Sequence, residues 1–256
     1  MKKIFFFTVM LLFLLPNLAS SQEYSDLLSL LVSEEYEKVL RKANKYIQND
    51  NTKKDPLPYL YFSEASYRMS LDNKYSAMYP KAYKSALSYA VKFRKKDKTN
   101  AYWEDAIDYF EELRYLVAEE VENYISVDTE KGYKKGLSLI KKMSGFSPED
   151  KGLTLTRAVL EVLSGNKSEG RKMIVSAWKS MAEIGTDNIQ FEEMSEQTQY
   201  NLRFALMQYA KYAKKTDIVK AQTIIAFGHP YFYSENEDYQ KDYSDEYKDL
   251  YDDLHN

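Results

Sequence analysis

Histidine and cysteine, the residues that most often ligate metals and build nucleophile–base pairs, are nearly missing from this chain. The sequence has no cysteine and two histidines, His229 and His255. Neither is followed three or four residues later by another possible ligand, whereas zinc sites need several ligands together. A Ser–His or Cys–His pair needs an interior histidine, and His229 precedes Pro230 at an expected helix break. We therefore predict no metal site, no cofactor and no catalytic nucleophile.

Paired carboxylates are the remaining source of chemistry, because two acids in one cleft can hydrolyse a glycosidic bond. The candidates are Glu111–Glu112, Glu119–Glu120 and Glu192–Glu193. Adjacent residues on a helix point in different directions, so such pairs do not converge on one substrate. In a chain that is 29% charged they are typical of solvated helix faces. We predict that the protein is not an enzyme; a helical glycan-cleaving enzyme would need two buried carboxylates facing one cleft.

The first 21 residues have the pattern of a cleaved secretory signal. Two lysines precede an apolar run at 4–15, and small residues at Ala19 and Ser21 fit cleavage after Ser21. The run is shorter than the roughly 20 residues of a transmembrane helix, and without cysteine no lipid can be attached behind it. We predict that residues 1–21 are a signal peptide and that the mature chain is periplasmic or secreted, with no membrane span.

Composition favours an all-α fold and argues against nucleic acid as a partner. The chain has 36 basic and 39 acidic residues. Removal of the two leader lysines would give the mature chain a net charge of 34 − 39 = −5. Nucleic-acid binding depends on positive charge that neutralises phosphates, so a nucleic-acid partner is not expected. Glycine and proline number only 8 and 6, and many-stranded folds need more turn residues. Helix N-terminal capping signals occur at Asp55–Pro56 and Ser147–Pro148, and apolar residues recur with helical periodicity between short breaks. These patterns predict about ten helices in five pairs, plus one helix at the C-terminus. A longer break at Gly185–Gln190 predicts a loop.

An interval of 34 residues relates the second helices of successive pairs. The matching positions are Gly136 and Gly170, Ile140 and Ile174, Tyr124 and Ala158 in the preceding helices, and, after an insertion, Ala221 and Ile225. A small residue lets two helices cross closely, and a bulky residue one turn later fills the gap. One helix pair every 34 residues resembles the tetratricopeptide repeat (TPR), best over residues 120–180. Thr154 and Glu161 depart from the family, which has large aromatic residues there.

This resemblance implies a right-handed α-solenoid of about five TPR-like helix pairs over residues 22–230. In that family the first helix of each pair lines a concave groove that holds a protein or peptide. The residues that this assigns to the groove are Tyr59, Phe62, Tyr67, Tyr109, Arg114 and Arg203. We therefore expect a non-catalytic scaffold or adaptor with a protein or peptide partner in the cell envelope. The alternative is an extracellular carbohydrate-binding protein that stacks exposed tyrosines and Trp103 on sugars.

Two charged segments complete the sequence. Residues 231–256 are acidic, and their tyrosines recur every four residues, at Tyr239, Tyr243, Tyr247 and Tyr251. This spacing lines one ridge of a helix, so we predict a C-terminal capping helix that covers the last pair. The alternative is a tail that docks to a partner. The basic run from Lys92 to Lys98 either complements the negative end of a helix dipole or forms a docking patch for an acidic partner.

Overall fold

The computed structural model describes residues 24–184, 194–232 and 244–256, and every regular element in these ranges is a helix. This confirms the all-α prediction. The helices are α1 (Ser25–Val32), α2 (Tyr36–Gln48), α3 (Leu57–Leu71), α4 (Asn73–Ser76), α5 (Ala82–Lys96), α6 (Trp103–Ile125), α7 (Glu130–Phe146), α8 (Lys151–Leu163), α9 (Lys167–Ile184), α10 (Glu196–Lys214), α11 (Ile218–Phe232) and α12 (Ser244–His255). The parts of the predictions that lie outside the described residues are the signal peptide, the loop at Gly185–Gln190, the Glu192–Glu193 pair, Tyr239 and Tyr243.

The starts of α3 and α8 differ in detail from the predicted caps. At α8 the acceptor is Asp150, whose Oδ1 receives a hydrogen bond from the Leu153 amide at 3.1 Å, rather than Ser147. At α3 the predicted cap, Asp55, instead accepts a hydrogen bond from the Tyr24 hydroxyl at 2.6 Å. Helix α3 therefore begins without a side-chain cap. The Asp55 carboxylate thus binds the distant Tyr24 hydroxyl instead of a backbone amide at the start of α3.

Contacts between helices run without interruption from α1 to α12. Helix α1 packs on α2 and α3, α3 on α2, α4 and α5, α5 on α7, and α7 on α6 and α8. Helix α8 packs on α9 and α10, α10 on α11, and α12 on both α10 and α11. Helix α6 also contacts α3 and α10. Within the described ranges, none of these helices combines the length and hydropathy that crossing a bilayer requires.

Helix α8 joins the two halves of the hydrophobic core. Its Leu153 and Leu160 belong to a cluster formed with α1 to α7, whereas Leu155 and Val159 belong to a second cluster formed with α9 to α12. All four side chains are at most 1% exposed. A helix that is apolar around most of its circumference is one that is buried on most sides. The two halves of the chain are therefore packed through α8.

The three small residues predicted to lie at helix crossings are buried. Gly136, Gly170 and Ala221 are all buried, as their spacing predicts. A Cβ atom added at Gly170 would lie 2.7 Å from the backbone nitrogen of Val162 and 3.1 Å from the carbonyl oxygen of Ala158. The backbones of α8 and α9 are therefore in direct contact at this glycine.

The glycine register of the α6–α7 pair is shifted by one turn relative to α8–α9. The glycine of α7 that meets the α6 backbone, at the carbonyl of Tyr124, is Gly132. Gly136 instead faces a side chain, since a Cβ added there would lie 3.1 Å from Ile125 Cγ2. The 34-residue interval thus relates Tyr124 to Ala158 but does not relate the glycines that oppose them.

We expect Gly170→Ala and Gly136→Ala to have different effects on stability. The methyl group added at position 170 would overlap the Val162 backbone, and such overpacking costs about 1–3 kcal/mol. The methyl group at position 136 meets the movable side chain of Ile125, and the higher helix propensity of alanine, about 1 kcal/mol, offsets the contact. Urea unfolding of both variants measures the difference. Equal losses would contradict the close approach of α8 and α9.

Candidate functional site

Four of the six residues predicted to line a groove are buried in the core instead. They are Tyr59, Tyr67, Tyr109 and Arg114, with exposed fractions of 6%, 5%, 4% and 5%. The prediction that these four side chains are exposed in a groove is therefore wrong. Successive residues are about 100° apart around a helix, so an error of one position turns a side chain from the open face towards a neighbouring helix. Phe62 and Arg203 are half-buried.

Tyr109 connects three helices through its hydroxyl group. The hydroxyl lies 2.7 Å from Ser63 Oγ on α3, and Ser63 donates its own proton to the Ala86 carbonyl of α5 at 2.6 Å. Tyr109 is therefore the donor to Ser63. Burial raises the pKa of Tyr109 far above its usual value, so the phenol stays protonated. Its role is to hold α6 against α3 and α5.

The aromatic rings proposed as binding platforms are engaged in packing. Phe62 stacks on Tyr89 with ring centroids 3.9 Å apart. Trp103 is half-buried, with the Arg94 guanidinium carbon 4.5 Å from its ring and the Phe110 ring 5.6 Å away. Phe62 and Trp103 therefore have limited ring surface left for a ligand.

Arg114 joins three helices through a buried polar network. Its Nη2 donates to Asp150 Oδ2 and to Thr198 Oγ1, both at 2.7 Å, and its Nη1 donates to Glu111 Oε1 at 2.6 Å. Asn201 Nδ2 donates to the same Asp150 oxygen at 2.8 Å. Burial raises the pKa of Asp150, and the charge of Arg114 opposes that rise. The network ties α6 and α10 to the start of α8, so Arg114 acts by positioning these helices.

An open groove lies further along α6 and α10, and it is the site where Arg203 is found. The α6–α10 groove has a volume of about 510 Å³. Its lining residues are Glu122, Asn123, Ile125, Ser126, Asp128, Tyr133, Leu163, Tyr200, Arg203, Phe204, Met207, Gln208, Lys211, Tyr212, Lys215 and Glu246. Three acids, three bases and four aromatic residues thus surround one opening. Sites that bind a ligand commonly combine apolar walls with a few polar groups.

The wall formed by α10 places charge beside aromatic rings. The guanidinium carbon of Arg203 lies 5.5 Å from the Tyr200 ring centroid, and the rings of Tyr200 and Phe204 are nearly parallel, 6.0 Å apart. Burial raises the pKa of Glu122 on the opposite wall, and a hydrogen bond from Tyr200 with the charges of Arg203 and Lys211 opposes the rise. The groove can therefore bind carboxylates, hydrogen-bond donors and apolar side chains at adjacent points.

A second cavity lies between α1 and α3, near the N-terminus. Its volume is about 730 Å³, and exposed Leu28 and Val32 stand at its edge. The charged residues of its lining are Glu64, Arg68 and Asp105, against six in the α6–α10 groove. Most of the other lining residues are apolar or aromatic. The α6–α10 groove is therefore the stronger candidate for selective binding.

Two of the three carboxylate pairs lie among the described residues, and their surroundings differ. Glu111 accepts a hydrogen bond from Arg114, whereas its neighbour Glu112 binds Arg68 at 2.8 Å. Glu119 and Glu120 both line a pocket of about 390 Å³ whose other lining residues belong to α3, α5 and α6. Across the part of the chain that the structure describes, no group of three or more His, Asp or Glu residues is arranged to hold a metal ion.

Comparisons with known proteins do not place the chain in a family. No family model, no curated protein and no solved structure matches it.

Arg203 is the predicted site residue that lines the α6–α10 groove, and the other groove residues of α10 were not predicted. Tyr200, Phe204, Met207 and Lys211 recur at intervals of three and four, which is the spacing of one helix face. The signal was present, but it overlaps the apolar stripe that packs α10 into the core. Two stripes on one helix can be separated only when the neighbouring helices are known.

Proposed function

We propose that this chain is an exported, non-catalytic scaffold whose α6–α10 groove binds a segment of a partner protein in the cell envelope. The observation that carries the proposal is the convergence of both signs of charge and several aromatic rings in one open groove. Arg203 and Lys211 suit a carboxylate, Glu122 suits a cation or an amide donor, and Tyr200 suits an apolar side chain. The leader pattern of residues 1–21 supports export to the periplasm or beyond.

The fold that we propose for this scaffold is a right-handed, TPR-like α-solenoid. Its five pairs would be α1 with α2, α3 with α5, α6 with α7, α8 with α9, and α10 with α11, and α12 would cap the last pair. The unbroken series of helix contacts supports this arrangement, as do the buried glycines at the pair crossings. The shifted glycine register of α7 makes the repeat a degenerate one.

Reversing two charges in the groove should reduce partner binding. Because both cations would become repulsive to a bound carboxylate, we expect the Arg203→Glu/Lys211→Glu variant to recover at least about tenfold less partner from envelope extract. The matched control is Lys172→Glu/Lys220→Glu, which makes the same charge change at exposed positions on α9 and α11. Quantitative affinity capture measures recovery, and circular dichroism checks folding. If the two variants recovered equal amounts of partner, the proposal would be wrong.

A glycan is the second candidate ligand for the same groove. Tyr133 and Tyr212 are half-buried in the lining of the groove, so part of each ring is exposed for stacking on a sugar. Adding soluble envelope glycans to the capture experiment separates the two candidates. A glycan ligand would show saturable binding to the purified chain without any protein partner.

A further inference from the structure

The second helices α5 and α7 carry a concentration of positive charge that the groove does not use. Helix α5 has no acidic residue and α7 has only Glu130. The exposed lysines of the two helices, with the residue that precedes α5, are Lys81, Lys84, Lys92, Lys95, Lys131, Lys134, Lys135 and Lys141. We refer to these eight residues as the basic ridge. Two of these residues, Lys92 and Lys95, also belong to the basic run from Lys92 to Lys98.

Helices α5 and α7 lie side by side in the same direction, so the ridge is one surface. Lys142 Nζ is 3.3 Å from Ser88 Oγ, and a Cβ added at Gly145 would lie 2.8 Å from Val91 Cγ2. Both contacts join residues 54 positions apart, which requires the two helices to run parallel. On α5, Lys84, Lys92 and Lys95 are four, four and seven residues from Ser88, so they lie on the same side of the helix as Ser88. On α7, Lys131 and Lys135 are eleven and seven residues before Lys142 and lie on its side of the helix, with Lys135 Nζ 4.6 Å from the Tyr124 ring of α6.

Exposed acids are instead frequent on α6 and α12. The exposed acids of α6 are Glu104, Asp105, Asp108, Glu112 and Glu119. Helix α6 contacts α3 and α10, whereas α5 contacts α7. Inside the ridge two lysines have acidic partners, Lys134 with Glu130 at 2.5 Å and Lys141 with Glu161 at 2.7 Å. The ridge is therefore a local excess of positive charge in a chain whose net charge is −3.

We propose that the basic ridge docks the protein on an anionic phospholipid surface. Every ridge residue is a lysine, a flexible and hydrated point charge that does not define a bidentate pocket for one phosphate or carboxylate. None of the ridge residues lines the three described cavities. A row of lysines on a helix pair matches an extended layer of phosphate headgroups, to which such charges are attracted within about 8–10 Å at physiological ionic strength.

The proposal is independent of the α6–α10 groove. None of the groove's cations, Arg203, Lys211 and Lys215, belongs to α5 or α7. A molecule resting on the ridge would turn α5 and α7 towards the lipid. The groove variant Arg203→Glu/Lys211→Glu should therefore bind lipid as the unaltered chain does.

Vesicle flotation of the purified chain tests lipid docking. We expect binding to vesicles of phosphatidylglycerol mixed with phosphatidylcholine, no binding to phosphatidylcholine alone, and release by added salt. Lys84→Glu/Lys95→Glu/Lys131→Glu should weaken binding at least about tenfold. The control Lys172→Glu/Lys179→Glu/Lys220→Glu, with the same charge change on α9 and α11, should not.

Three results would overturn the proposal. The first is the absence of binding to anionic vesicles, and the second is an equal loss of vesicle binding in the ridge and control variants. The third is binding of polyglutamate that depends on the ridge lysines, by a chain that does not bind vesicles. The last result would assign the ridge to an acidic protein segment instead. Circular dichroism of each variant ensures that lost binding is not lost folding.

Discussion

Replacing Arg114 with alanine is expected to lower the free energy of unfolding by about 3–5 kcal/mol. The substitution leaves the carboxylate of Asp150, whose side chain is 2% exposed, without its cationic partner in the interior. It also removes the donor to Thr198 Oγ1 and so loosens the contact between α6 and α10. An uncompensated buried charge is among the most destabilising defects that one substitution can create. Urea unfolding followed by circular dichroism measures the loss.

Arg68 provides the matched control for Arg114. It too pairs with two carboxylates, Glu64 and Glu112, but its side chain is 33% exposed and theirs are 21% and 45% exposed. Surface pairs of this kind contribute at most about 1 kcal/mol, so Arg68→Ala should have a small effect. If the two alanine variants lost equal stability, the buried network would not be what holds α6, α8 and α10 together.

Tyr247→Ala is expected to cost about 3–5 kcal/mol, the range for removing a large buried aromatic ring. Tyr247 is completely buried under α12, where it packs 5.3 Å from the Phe232 ring and donates to the carbonyl of Ile225. Its loss would detach α12 and expose the apolar surface of α10 and α11. Thermal unfolding should show a lower midpoint.

Two further variants separate the contributions of Tyr247. Tyr247→Phe keeps the ring and removes one hydrogen bond, so we expect a loss of about 1 kcal/mol. Tyr115→Ala removes a tyrosine that is 62% exposed and should change stability by less than about 0.5 kcal/mol. An unchanged midpoint for Tyr247→Ala would mean that α12 does not cap the stack.

Much of the fold follows from local patterns in the sequence. Helix positions could be predicted because periodicity and scarce glycine and proline leave few alternatives to helix. Of the tyrosines predicted to line one ridge of the C-terminal helix, Tyr247 is buried and Tyr251 is half-buried on α12. The glycine register was harder, because Gly132 and Gly136 are one turn apart on the same face and only the position of α6 decides which one meets backbone.

The candidate site was harder to predict than the fold. Tyrosine is common on binding surfaces because its side chain is amphipathic. In the structure, however, Tyr59, Tyr67 and Tyr109 are buried in the core, and the hydroxyl groups of Tyr59 and Tyr109 form hydrogen bonds there. The side of a helix that stays open depends on which helices cover it, and a sequence does not record that. The basic ridge was not predicted for the same reason, since α5 and α7 come side by side only in the folded chain.

Site-specific photo-crosslinking tests the groove most directly. Gln208 lines the α6–α10 groove and is half-buried, whereas Ser176 is exposed on α9 outside it. A benzophenone amino acid at position 208 should give a covalent adduct with the partner in envelope extract, and the adduct should fade when Arg203 and Lys211 are changed to glutamate. The same probe at position 176 should give none. Adducts of equal strength at both positions, or adducts at 176 alone, would show that the partner does not bind in the groove.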